Sequence, residues 1–189
     1  MNKLLLKSFI GIGIIFIFNS LAFAAPGPAS VYKVRISKFE LNNGTSWITV
    51  FEGTSDALDI ASVSSGSAAG NFMSGLTVPD GTYTQVRVTP SPIFIISGHD
   101  TLGNYTTATA GVGGGSTPGA AGQEAQFTLT LTGGNVPGAD TTDFSATPVT
   151  IKDGVANHKI RVSFDVSTAI QLAGGELWPA QPTVTMSMQ

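Results

Sequence analysis

The chain has 189 residues, 2 histidines and no cysteine, with 9 Lys+Arg against 12 Asp+Glu for a net charge of −3. Without thiols it has no disulfide framework, no thiolate metal site and no lipid carried on a cysteine. Its few cations are scattered rather than clustered, and clustered cations are what release counterions from a phosphate backbone, so nucleic acid is not an expected partner.

In chain order, the first element is a signal peptide over residues 1–24. Lys3 and Lys7 open it, an apolar run follows over 8–18, and Ala22-Phe23-Ala24 supplies small residues at the spacing a signal peptidase reads, with cleavage expected after Ala24. The run is shorter than the roughly 20 residues that cross a bilayer. No later stretch approaches such a span, so no membrane span is expected after cleavage. Residues 25–189 are then expected as one exported domain, periplasmic or extracellular. Loss of Lys3 and Lys7 leaves 7 basic residues against 12 acidic ones, a net of −5.

The domain reads as a succession of strands. Tyr32, Val34 and Ile36 alternate with polar residues, then the apolar parity changes to Phe39 and Leu41, which implies a bulge near Ser37-Lys38. Asn43-Gly44 tolerates the positive φ of a tight hairpin and returns the chain into a strand over 47–51. A helical turn is expected within 55–63, capped by Ser55. Strands follow at 82–89, 93–97, 124–131, around 148–152, 159–166, 176–178 and 183–188. The clearest, 159–166, puts Ile160, Val162, Phe164 and Val166 on one face and Lys159, Arg161, Ser163 and Asp165 on the other. The stretches 108–123 and 132–146 are rich in Gly and read as mobile loops. Alternation without helical spacing gives an all-β antiparallel fold. A β-sandwich of immunoglobulin or transthyretin style, with seven to nine strands, is expected, and a closed β-barrel is the alternative.

Chemistry is sparse. An acyl-transfer site needs a base, and only His99 and His158 offer one; both lie beside turn residues and outside any catalytic motif. Zinc lacks ligands, and Asp140 and Asp143 offer oxygens without the regular spacing of a calcium loop. The glycines over 111–115 lack the Lys and Ser or Thr that complete a phosphate loop. No enzyme, no metal and no cofactor is therefore expected. Trp47 reads as a core residue. The candidate ligand contacts are Tyr105, in a polar stretch and expected to be exposed, and Asp140 and Asp143.

Over 76–88 the sequence reads Leu-Thr-Val-Pro-Asp-Gly-Thr-Tyr-Thr-Gln-Val-Arg-Val. Together with the opening strand, the Trp47-Ile48-Thr49-Val50-Phe51 segment, Ala57-Leu58-Asp59-Ile60, Phe164-Asp165 and Trp178-Pro179-Ala180-Gln181-Pro182, it resembles a family of exported bacterial and archaeal domains of unknown function. The resemblance implies a transthyretin-like or carboxypeptidase-regulatory-like β-sandwich and no activity. Its members are often lipoproteins, and this chain departs from them in having no cysteine. Two functions remain open: a non-enzymatic structural or interaction module whose partners are other protein subunits, or a module binding extracellular carbohydrate or another small ligand through loops at one end of the sandwich.

Overall fold

The computed structural model describes residues 24–62 and 76–189. The expected signal segment, apart from Ala24, and Val63 at the end of the expected helical turn lie outside the described residues.

Two long strands form the spine. One is β2 (Ala29–Val34) continued by β3 (Ile36–Asn42); the other is β7 (Gln85–Pro90) continued by β8 (Ile93–Gly98). They pair antiparallel along both halves. Flanking strands widen each half to four: β11 (Phe127–Thr130) and β5 (Leu58–Asp59) give the order β11-β8-β2-β5, and β12 (Asp140–Asp143) with β4 (Trp47–Glu52) gives β12-β7-β3-β4.

At the waist between the halves the register slips. Ile36 faces Pro90 but Lys38 faces Thr89, so β3 carries one extra residue, a bulge where the change of apolar parity placed it. The extra residue keeps Tyr32 in one half and Phe39 and Leu41 in the other on the same side of the sheet. Backbone groups freed by the slip find partners in serines. Ser55 Oγ accepts from Ile36 N at 2.9 Å, Ser91 N donates to Arg35 O at 2.8 Å, and Arg35 Nη1 donates to Ser55 O at 2.8 Å. Ser55 caps no helix: the segment after it is β5 and a turn, because its hydroxyl is taken by this junction.

The second layer is made of three further sheets, of five, three and two strands. Over the first half lie β1 (Ala24–Gly27), β16 (Ile170–Ala173), β17 (Glu176–Pro179), β10 (Ser116–Gly119) and β9 (Tyr105–Ala110) in that order. The second half is met by β14 (Val155–Ala156), β13 (Val149–Lys152) and β6 (Gly81–Tyr83). A ribbon of β15 (Ile160–Asp165) and β18 (Thr183–Met188) serves both halves, with Phe164 packing on the first core and Ile160 and Met188 on the second. The architecture is sandwich-like, with no closed barrel. Its strands number eighteen among the described residues rather than seven to nine, because bulges and sheet changes cut them short. The expected strand 82–89, for example, leaves one sheet and enters another at Thr84, whose N donates to Asn42 O.

Two cores result. Tyr32, Phe94, Ile96, Phe127, Ile170 and Leu177 anchor the first; Phe39, Leu41, Tyr83, Val86, Phe144 and Val149 anchor the second. Fully burying one such aliphatic or aromatic side chain contributes roughly 1.5–3 kcal/mol. Tyr83 closes the turn before it by donating its hydroxyl to Pro79 O at 2.8 Å.

The two expected loops are largely strand and turn. Within 132–146 a short 3-10 turn at Gly133–Asn135 leads into β12. Within 108–123, β9 and β10 form a hairpin whose glycine turn wraps the side chain of Glu176. That carboxylate accepts from Gly113 N and Gly115 N, both at 2.7 Å. A Cβ at Gly115 would lie 2.6 Å from the Trp178 ring, and one at Gly111 would sit on the carboxylate itself. The glycines are thus imposed by a close approach.

Removing the acceptor leaves two amides of the turn without it. Glu176→Ala is expected to lower unfolding free energy by roughly 2–4 kcal/mol in urea titration. An unchanged midpoint would show that the turn holds itself.

Candidate functional site

Asp140 and Asp143 stand at the two ends of β12, an outer strand, where Asp140 faces Val88 and Asp143 faces Gln85. Asp143 is fixed: Oδ2 accepts from Gln85 Nε2 at 2.9 Å, and Oδ1 accepts from Ser145 N at 2.9 Å and from Ser145 Oγ at 2.6 Å. The Ser145 hydroxyl, then its amide, then Gln85 hold this carboxyl below the usual aspartate range.

Tyr105 is elsewhere. It opens β9 and is half-buried rather than exposed, its ring centroid 4.8 Å from that of His99. The chain runs from Gln85 to His99 along the whole spine, on the order of 45 Å of backbone at about 3.3 Å per residue. Tyr105 and Asp143 therefore do not form one site. Between His99 and Tyr105 the turn 100–104 is closed by fully buried Asp100, whose Oδ1 accepts from Leu102 N and Asn104 N, each at 2.9 Å.

Other polar clusters have structural partners. Asp80 accepts from Asp153 N at 3.0 Å and ties the Pro79-Asp80-Gly81 turn to the β13–β14 hairpin. Ser97 Oγ donates to Glu124 Oε1 at 2.8 Å, and Ser30 Oγ donates to the same oxygen. Among the described residues no hydrogen bond joins a serine hydroxyl to an imidazole; His99 Nδ1 instead lies 2.8 Å from Asp100 O. The described residues also hold no group of three His, Asp or Glu placed to take a metal ion. An apolar cavity of about 460 Å³ lies between the layers of the second half, lined by Phe39, Leu41, Val149, Ile151 and Ile160 with His158 among them.

The outward face of β12-β7-β3-β4 carries a second, polar arrangement. Register places Asp143, Gln85, Asn42 and Trp47 side by side across four strands, and Thr141, Arg87, Glu40 and Thr49 in the next outward row. Trp47 is not a core residue. The hairpin sets Ile48 opposite buried Leu41, which turns Trp47, one position earlier, to the other face, where it is half-buried. Its ring centroid lies 4.3 Å from the Arg87 guanidinium carbon. Arg87 Nε donates to Glu40 Oε2 at 2.7 Å, and Lys38 Nζ lies 3.2 Å from Glu40 Oε1. The Glu40 side chain is only 6% exposed. A carboxylate so enclosed requires paired charge and hydrogen bonds to stay ionised. Only the register of the bulged hairpin brings these residues together, and no sequence motif marks them.

Comparison of the chain with protein-family models, with curated proteins and with solved structures finds no match.

The Arg87 hydrogen bond holds the Glu40 carboxyl below its usual 4.5; burial opposes this, and Lys38 adds to it. A depressed folded value means the contribution is fully present above the unfolded value and is lost as pH falls through the folded one. Chemical denaturation from pH 7 downward should show stability falling once pH drops below about 4.5. Glu40→Gln is expected to be less stable at pH 7 and to flatten that acid limb; an identical acid limb would mean that Glu40 does not contribute to it.

Proposed function

We propose that the protein is an exported, non-enzymatic module of the periplasm or cell exterior that works by associating with other protein subunits. The observation that carries this reading is the edge of the β15–β18 ribbon that the described residues leave open. Among the described residues β18 pairs with β15 alone, over six residues in unbroken register. Lys159 and Gln189 exchange both backbone bonds, at 2.8 and 2.9 Å. In an antiparallel ladder such pairs alternate, so the amides and carbonyls of Val184, Met186 and Met188 point away from β15.

The strand reads Thr-Val-Thr-Met-Ser-Met, without a charge or a proline. Edges that must stay unpaired are usually blunted by Lys, Pro or a bulge, and this one carries none of them. A strand from a second molecule would find a ready template of backbone groups. Export is supported by the basic, apolar and small-residue pattern of residues 1–24.

Light scattering of residues 25–189 across a concentration series should give multiples of about 17 kDa, the chain's 19.4 kDa scaled to the residues kept. Val184→Pro removes an amide from the free edge and none from the β15 ladder, so it should shift the mass toward monomer while leaving the fold intact by circular dichroism. A monomer at every concentration would remove self-pairing. The exported protein is expected to begin at Ala25 when its N-terminus is sequenced, and a start at Met1 outside the cytoplasm would overturn the signal reading.

A further inference from the structure

We propose that the outward face of β12-β7-β3-β4 binds a neutral, extended oligosaccharide. This does not rest on the edge-pairing reading, because it uses another sheet and a face rather than an edge.

The first support is the row Asp143, Gln85, Asn42 and Trp47, one side chain from each strand on the same side of the sheet. Strands lie about 4.8 Å apart, so the row spans roughly 14 Å, enough for about three pyranose rings laid across the strands. Its chemistry suits a sugar chain. A pyranose presents a C–H face and a rim of hydroxyls. The indole offers a flat apolar surface for the first, and the amides of Gln85 and Asn42 offer planar donors and acceptors for the second, beyond the hydrogen bonds they make to Asp143 and to Gly44 N.

The second support is preorganisation. Trp47 is stacked on Arg87, which is bound to Glu40, and Gln85 is held by Asp143. Ligand groups met by side chains already fixed in place cost less ordering entropy than flexible ones. The third support is charge. Arg87 and Lys38, two positive charges, are matched by Glu40 and by Glu52, which lies 3.9 Å from Lys38, so the described residues of this face leave no cation over to select an anionic polymer. The face is also polar where the centre of a protein interface is depleted of charge.

The test is calorimetric titration of the purified protein with cellohexaose and with β-1,4-mannohexaose, each to about 5 mM, using hexagalacturonate as the anionic counterpart. Binding of at least one neutral hexasaccharide is expected, weakened about tenfold or more by Trp47→Ala and also by Gln85→Ala. Gln85→Ala should keep the native circular dichroism spectrum and a cooperative melt, which separates lost contact from lost folding. No binding heat with either neutral sugar would overturn the proposal. So would unchanged affinity in both variants, or tighter binding of hexagalacturonate than of the neutral chains.

Discussion

The structure depends on one constraint: a sheet that covers two cores must keep its apolar side chains on the same side while its strands pass from one half to the other. Alternation alone cannot do this once register slips, because a shift of one residue sends every later side chain to the opposite face. The extra residue in β3 resets the count, so that Tyr32 and Phe39, seven positions apart and of opposite parity, both face inward. Ser55 and Ser91, both buried, provide partners at the junction and keep the slip from exposing bare amides to an apolar layer.

The same reset determines what faces outward. With Phe39 and Leu41 committed to the core, Glu40 must lie on the other side, and Arg87 is its neighbour across the ladder. A carboxylate that shielded would be costly if left alone, so Arg87, Lys38 and the indole above the guanidinium behave as one unit. The polar face and the second core are therefore consequences of a single register. The ribbon of β15 and β18 adds the other global tie, since its inward residues reach both cores.

Much of this was legible in the residues. The period-2 pattern of 159–166 marked β15, Asn43-Gly44 marked the hairpin, where Gly44 has φ +91°, and the parity change marked the bulge. What was hidden depends on contacts far along the chain. The glycines over 111–115 look like part of a mobile loop because the carboxylate that shapes them is more than sixty residues away. Trp47 looked like core because its neighbours are apolar, and its true face follows from pairing with Asn42. Tyr105 and Asp143 looked like companions because both sit in polar stretches, whereas the length of the spine holds them apart.

The Glu176 turn has a consequence for how this sequence can drift. Its three odd-numbered glycines and one glutamate form a mould and its cast, shared between two hairpins. A larger residue at 111 or 115 fits only if 176 shortens or Trp178 moves, and a shorter residue at 176 leaves the turn without its template. These positions are therefore expected to change together or not at all across descendants of this chain, so a tract that looks like low-complexity filler is among its least free.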